Sequence, residues 1–316
     1  MSDPDRPTDL TPAGDQIAAT ETASRADGNV LDASGKPEAH LDAPADSVKI
    51  QIRDVYKVFG RREADAVAML REGADKSAVQ LETGVNVGLA GINADIPTGQ
   101  ITCIMGLSGS GKSTLVRHLN RLIDPSAGEV LVDGENILTL SMPALRELRR
   151  HKISMVFQNF GLLPHINVLD NVAFGLNVRG EGRQQARTTA SLWLERVGLA
   201  EYEKSYPDEL SGGMRQRVGL ARALAIDAEV LLMDEAFSAL DPLIRYDMQD
   251  QLLALQQRLQ KTIVFITHDI EEALRLGQHI IILRDGKVEQ VGTPEDIRNH
   301  PANDYVERFV VRRVAV

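Results

Sequence analysis

Cysteine is almost absent from this sequence of 316 residues, in which Cys103 is the single example. One cysteine excludes an internal disulfide, which is typical of a cytosolic protein. Long apolar runs are missing as well, since none approaches the roughly 18 residues that a membrane-spanning helix requires. The first residues, Met1 to Asp5, are acidic and lack the apolar stretch of a secretory signal. These absences favour a globular protein of the cytosol.

An excess of positive charge is also missing, because 45 acidic residues outnumber 35 basic ones and leave a net charge of −10. Ten of the acids but only three of the bases fall within residues 1–46. Nucleic-acid binding usually needs a basic surface, so we expect no nucleic-acid partner. Residues 1–46 also lack apolar periodicity, and we interpret them as a disordered acidic tail, with a docking or regulatory role as the alternative.

Beyond this tail, strand patterns alternate with helical patterns, which predicts an α/β fold with a largely parallel sheet. The first strand is expected at 48–52, a helical stretch at about 61–86, and a loop or hairpin at 84–91. A second helical segment spans about 160–209 and looks like an insertion into the sheet domain. Further strands are predicted at Ile101–Met105, Glu129–Val132, Ile153–Phe157, Val230–Met233, Ile263–Thr267 and His279–Leu283.

A glycine-rich segment between a predicted strand and a predicted helix matches the phosphate-binding pattern G-x-x-x-x-G-K-S/T. It consists of Gly106, Leu107, Ser108, Gly109, Ser110, Gly111, Lys112 and Ser113. Glycines let backbone N–H groups turn towards phosphate oxygens, and the helix N-terminus adds partial positive charge. In this pattern Lys112 reaches the β- and γ-phosphates, and the Ser113 hydroxyl binds Mg²⁺. A ligand-free glycine and serine turn is the alternative.

Three polar residues follow predicted strands at the same edge of the sheet, where ligands of parallel sheets bind. Asp234 and Glu235 end the strand Val230–Met233, and His268 follows Ile263–Thr267. We expect Asp234 to help hold Mg²⁺, Glu235 to orient or deprotonate the attacking water, and His268 to contact the γ-phosphate. Each residue taken alone could instead be a surface charge or a structural histidine.

Several motifs in a fixed order resemble those of the ATP-binding subunits of ABC transporters. Leu210-Ser211-Gly212-Gly213-Met214-Arg215-Gln216 is similar to the signature L-S-G-G-x-x-Q. Gln158 resembles the Q-loop glutamine, Ser238-Ala239-Leu240-Asp241 the D-loop, and His268 the switch histidine. The resemblance covers roughly residues 48–310. It implies a P-loop NTPase (RecA-like) core, an antiparallel β subdomain and an inserted α-helical subdomain within one nucleotide-binding domain, residues 47–316.

The resemblance also implies a mechanism and a set of binding residues. Two copies of the chain would face head to tail with ATP and Mg²⁺ between them. Gly106 to Thr114 of one copy and Ser211, Gly212, Gly213 and Asp241 of the other would hold each ATP. Gln158 would serve catalysis and Mg²⁺ binding. An aromatic residue after the first strand would stack on adenine, with Phe59 as the better match and Tyr56 as the alternative.

Finer features are similar to one subfamily, the ATPases of glycine betaine, proline betaine and choline importers. These are the helical insertion at about 61–86 and the Ala236-Phe237 pair that follows Glu235, where many ABC ATPases have proline. Larger members carry paired CBS domains, and we expect this chain to be a short form without them. The resemblance implies transmembrane permease subunits and, indirectly, a solute-binding protein as partners.

The resemblance also implies a peripheral location on the cytoplasmic face of the bacterial inner membrane.

Three alternative functions remain at this point. The first is an importer ATPase for another small solute such as an amino acid. The second is a non-transport ABC ATPase that acts on nucleic acid or the ribosome, although it would usually show basic patches, coiled coils or two nucleotide domains. The third is an inactive scaffold, which would predict damaged motifs.

Overall fold

The computed structural model describes residues 47–157, 161–238 and 240–311, so the expected tail at 1–46 and Gln158 lie outside the described residues. The strands are β1 (Val48–Phe59), β2 (Asn86–Pro97), β3 (Ile101–Met105), β4 (Ala127–Val132), β5 (Glu135–Asn136), β6 (Ile153–Val156), β7 (Val230–Asp234), β8 (Thr262–Ile266), β9 (His279–Arg284) and β10 (Lys287–Gly292). The helices are α1 (Glu63–Arg71), α2 (Lys76–Thr83), α3 (Lys112–Leu119), α4 (Met142–His151), α5 (Val168–Arg179), α6 (Arg183–Arg196), α7 (Gly212–Ala225), α8 (Pro242–Leu259), α9 (Ile270–Leu276), α10 (Pro294–Asn299) and α11 (Asp304–Val311).

The strands form two sheets of different character. One has the order β10-β9-β3-β8-β7-β6, in which every pairing is parallel except that of β10 with β9. The other has the order β2-β1-β4-β5 and is antiparallel throughout. The structure therefore confirms an α/β fold with a mostly parallel core sheet and a separate antiparallel sheet.

The central strands are apolar because both faces of the parallel sheet are covered. All five residues of β3, of β7 and of β8 are buried, and parallel sheets with two covered faces typically show such continuous apolar runs. In register, Cys103 of β3 lies between Phe265 of β8 and Ile280 of β9. This packing fixes the relative positions of the strand ends, where the predicted site residues lie.

The segment expected to be helical at about 160–209 contains α5, α6 and two 3₁₀ turns, Ala200–Tyr202 and Pro207–Glu209. Asn171 of α5 is fully buried and holds the loop before that helix. Its Oδ1 accepts from the Leu163 N–H at 2.8 Å, and its Nδ2 donates to the Leu163 and Ile166 carbonyls at 3.0 and 3.1 Å. Among the described residues, no helix has both the length and the apolar character to cross a membrane.

The expected loop or hairpin at 84–91 is wrong, because most of that segment belongs to the long strand β2. Its glycines mark close contacts with β1 rather than turns. A Cβ at Gly88 would lie 2.9 Å from a ring carbon of Phe59, and Gly91, at φ +75°, faces the hydroxyl of Tyr56. The helical stretch before it is divided into α1 and α2, and α2 ends at Gly84 in a left-handed conformation.

Candidate functional site

The glycine-rich loop joins the carboxyl end of β3 to the first residue of α3, as the pattern requires. Gly106 has a φ of +147°, and a Cβ there would lie 2.2 Å from the Leu283 carbonyl oxygen at the end of β9. Gly111, at φ +103°, is the N-cap of α3, whose first N–H groups have no acceptor within the helix. The glycine-rich loop therefore leads directly into a helix N-terminus, an arrangement suited to phosphate.

Lys112 is buried beneath this loop. Its ammonium donates to the carbonyl oxygens of Gly106 at 2.9 Å and Leu107 at 3.1 Å. Burial lowers the pKa of Lys112, and the nearby Glu235 and Asp234 carboxylates oppose that shift. Among the described residues, the hydrogen bonds of this ammonium go to two neutral carbonyls, so it can exchange them for a stronger anionic partner such as the phosphates that the loop would bind.

The Asp234 carboxylate ends β7 and is 1% exposed. Its Oδ1 accepts from the Ser113 hydroxyl at 2.8 Å, and its Oδ2 lies 3.6 Å from the Arg117 guanidinium. A hydroxyl and a carboxylate oxygen side by side are hard oxygen ligands, and Mg²⁺ is usually bound by one or two of these together with waters and phosphate oxygens. These two side chains therefore fit the predicted Mg²⁺ site.

Glu235 follows directly and has a left-handed backbone, with φ at +46°. This conformation is uncommon for a residue with a side chain and is often found at functional sites. The Glu235 carboxylate lies 3.7 Å from Nδ1 of His268, which follows β8 and has a largely exposed side chain. The carboxyl ends of β3, β7 and β8 thus bring together Lys112, Asp234, Glu235 and His268, as the sequence predicted.

The signature-like segment occupies another helix N-terminus. The Ser211 hydroxyl accepts from the Met214 N–H at 3.3 Å and caps α7, and a Cβ at Gly212 would meet no neighbour within 4 Å. Asp241 caps α8 in the same way, through the Ile244 N–H at 3.4 Å. Within the described part of the chain, no hydrogen bond or ion pair joins Ser211, Gly212 or Gly213 to the phosphate loop.

The two aromatic candidates for adenine stacking lie in different environments. Tyr56 is 7% exposed and packs among Val58, Ala66 and the other apolar residues beneath α1. Phe59 ends β1, is 42% exposed, and lies beside Gly88 and Thr114, the third residue of α3. Since a base can stack only on an accessible ring, the geometry favours Phe59.

Two arginines near these residues had no predicted role. Arg117 lies four residues after Ser113 on α3, and this helical spacing was the signal that could have placed it beside Asp234. Arg245 of α8 donates to the Leu240 carbonyl at 3.1 Å and lies 3.8 Å from the Asp269 carboxylate, next to His268. Only the packing of α8 against α9 reveals this second contact.

Comparisons with known proteins agree with these motifs. A family model described as ABC transporter matches residues 89–238. The glycine betaine/proline betaine transport system ATP-binding protein ProV of Escherichia coli (strain K12) is 55% identical over 263 residues, covering 83% of this chain and 66% of ProV. The trimethylamine N-oxide transport system ATP-binding protein TmoW of Ruegeria pomeroyi is 50% identical over 260 residues, covering 82% and 76%.

A solved structure shows the same fold. The ATP-binding cassette MJ0796, in a dimeric post-hydrolysis state bound to ADP and phosphate, superposes with a TM-score of 0.66 at 32% identity. The match covers 78% of this chain and 98% of that one. Since this chain spans 66% of the length of ProV, the remaining third of that relative has no counterpart in the alignment.

Proposed function

The chain belongs to the ABC transporter family of ATP-binding proteins, and from this premise we propose that it hydrolyses ATP to energise the import of glycine betaine, choline or a related quaternary amine. The observation that carries the proposal is the convergence of Lys112, Asp234, Glu235 and His268 at one edge of the parallel sheet, beside the glycine-rich loop. Each group is of the type that phosphoryl transfer to water requires.

The proposed reaction follows from the roles of these side chains. Lys112 exchanges its two carbonyl partners for the β- and γ-phosphates of ATP. Ser113 and Asp234 would hold Mg²⁺, which would supply positive charge to the phosphate oxygens. Glu235 accepts a proton from the attacking water as the water oxygen bonds to the γ-phosphorus and the bond to the β–γ bridging oxygen breaks. His268 contacts the γ-phosphate, and ADP and phosphate leave. Gln158, which the structure does not describe, keeps its predicted role near Mg²⁺.

We further propose that two copies form the complete site. At the N-terminus of α7, Ser211 is exposed, Gly212 is half-buried and Gly213 is buried. Among the described residues this segment makes no polar contact with its own phosphate loop, as expected of a segment that serves a second copy. MJ0796, whose cassette has this fold, is dimeric. The γ-phosphate would lie between the loop of one copy and the α7 N-terminus of the other.

The solute and the partners are also proposals. ProV and TmoW are named for transport systems of methylated amines, which supports a small quaternary or methylated amine as cargo. The partners would be transmembrane permease subunits and, through them, a solute-binding protein, with this chain on the cytoplasmic face of the bacterial inner membrane. Nucleic acid is not an expected partner.

The experiment measures ATP turnover and dimer formation by the purified Glu235→Gln variant. This change keeps the side-chain shape but removes the base, so we expect normal ATP binding, loss of turnover and an ATP-dependent dimer on size exclusion. Glu201→Gln, at an exposed position in the 3₁₀ turn Ala200–Tyr202, is the matched control and should turn over normally. Turnover by Glu235→Gln within about threefold of the wild type, a barrier change of about 0.65 kcal/mol, would contradict the base assignment.

The transport step needs a separate test in vesicles that contain the permease subunits. ATP-dependent uptake of glycine betaine or choline, competed by the other amine but not by an amino acid, is the expected result. Uptake of an amino acid instead would reject the proposed cargo while leaving the ATPase intact.

A further inference from the structure

The side chain of Tyr305 connects helix α11 to the end of β9, next to the phosphate loop. The Tyr305 hydroxyl donates to the carbonyl oxygen of Leu283, at the end of β9, at 3.2 Å. The backbone of Leu107, the second residue of the phosphate loop, is near enough to the phenol to oppose the rise in its pKa. One phenol therefore joins α11 to the end of β9, beside the start of the loop.

The Leu283 carbonyl has a specific position relative to the loop. It lies against the Cα of Gly106, so closely that a Cβ at Gly106 would be 2.2 Å from the carbonyl oxygen. On the other side of the loop, the Gly286 N–H donates to the Ser110 carbonyl at 3.0 Å. The end of β9 and the turn after it thus contact both halves of the loop, and Tyr305 holds the carbonyl that lies against the first half.

The Tyr305 ring is fixed by its neighbours rather than by the loop. Phe309 packs edge-on against it with ring centroids 5.1 Å apart, and the Arg284 guanidinium lies 4.8 Å from the ring centroid. Burial raises the pKa of the phenol, so its hydroxyl remains protonated and able to donate near neutral pH. A rigid ring with a protonated hydroxyl holds the loop in one position.

Leu107, the loop residue near Tyr305, also contacts the Lys112 ammonium. The Leu107 carbonyl accepts from Lys112 at 3.1 Å, and the Gly106 carbonyl accepts from it at 2.9 Å. Displacement of the Leu107 backbone would therefore move the two acceptors that hold the Lys112 ammonium in place. It would also move the first N–H groups of the loop.

We propose that Tyr305 is a positioning residue for the phosphate loop. The affinity for ATP then depends on the position of α11 relative to the loop. This inference rests on the proposed function, because it assumes that the loop binds ATP. In this way α11, which lies almost 200 residues from the loop in sequence, affects nucleotide binding without direct contact with the nucleotide. Any partner or chain segment that displaced α11 would then weaken ATP binding.

The test compares Tyr305→Phe with the wild type, using a fluorescent ATP analogue for the dissociation constant and ATP turnover for KM and kcat. Phenylalanine keeps the packing against Phe309 and Arg284 and removes only the hydroxyl. We expect the dissociation constant and KM to rise about fivefold, about 1 kcal/mol at 1.4 kcal/mol per tenfold, with kcat within about twofold. Tyr202→Phe, on an exposed turn of the helical segment, is the matched control and should leave all three unchanged.

Other outcomes are separable. Equal ATP affinity in Tyr305→Phe and the wild type would overturn the inference, whether or not the melting temperature falls, because a role in stability alone would leave affinity unchanged. A wild type that binds the analogue without turning over ATP would reject the proposed hydrolysis, yet the binding comparison would still decide the role of Tyr305. A wild type that binds no ATP would overturn both proposals.

Discussion

Gly106 and Gly109 lie in the same loop, both with positive φ, and they differ in the space around them. A methyl group at Gly106 would be 2.2 Å from the Leu283 carbonyl oxygen and 2.5 Å from the Ser110 hydroxyl oxygen. A methyl group at Gly109 would meet no neighbour within 4 Å. Alanine keeps the backbone N–H at both positions, so the two variants separate crowding from backbone preference.

The expected cost of Gly106→Ala follows from two contributions. A φ of +147° is essentially restricted to glycine, so an alanine held in this conformation lowers the free energy of unfolding by about 1–3 kcal/mol. The overlap with a carbonyl on a buried central strand must be relieved by moving backbone, and such overpacking costs about another 1–3 kcal/mol. For Gly109→Ala, at φ +78°, only the left-handed conformation contributes, about 1 kcal/mol.

The assay is thermal unfolding of the nucleotide-free chain, which is independent of any assumption about ATP. With about 2–4 °C per kcal/mol for a domain of this size, Gly106→Ala should melt about 10 °C below the wild type and Gly109→Ala about 3 °C below it. Equal melting temperatures for the two variants would refute the reasoning, because they would show that the Leu283 carbonyl does not press on Gly106.

Two further predictions concern the proposed dimer and acid stability. The Ser211→Arg variant should bind ATP as a single chain but form no ATP-dependent dimer and hydrolyse no ATP. Its melting temperature should be only about 2–4 °C lower, because it loses one helix cap. Normal turnover would contradict the shared site. Burial alone would raise the pKa of Asp133, but hydrogen bonds from Lys152 and Lys49 hold it below the ordinary value. Its stabilisation is thus present above pH about 4 and lost as the pH falls below it. The Asp133→Asn variant should therefore have a lower melting temperature than the wild type at pH 7, and its melting temperature should fall less as the pH is lowered. Parallel profiles of melting temperature against pH would reject the contacts of Asp133 with Lys49 and Lys152 as a source of stability.

Much of the candidate site was predictable from local sequence. The glycine-rich loop, Lys112 and Ser113 are contiguous, so their spacing alone places them at a strand–helix junction. Asp234, Glu235 and His268 could be placed beside them because they follow apolar runs, and the carboxyl ends of parallel strands share one edge of a sheet. The same apolar runs indicated the α/β fold that the structure confirms.

Glycine misled the sequence-based expectation at 84–91, because Gly88 and Gly91 resemble turn residues in sequence while they serve strand packing in the fold. The difference between Phe59 and Tyr56 was equally invisible, since both are aromatic residues of one strand and only the covering by α1 buries Tyr56. Local patterns specify the period and the ends of an element, but they do not specify which faces meet.

Neighbouring residues in the sequence were enough to identify the glycine-rich loop, the acidic strand end and the motif order that places the chain in its family. Tertiary packing was needed to show that Arg117 lies beside Asp234, that Arg245 links Leu240 to Asp269, and that Tyr305 bonds to the Leu283 carbonyl beside the loop. The glycine-rich loop, the acidic strand end and the motifs each depend on residues a few positions apart along one strand or turn, so local sequence is enough to recognise them. The contacts of Arg117, Arg245 and Tyr305 instead depend on how separate helices and strands pack, and this is set by the whole core.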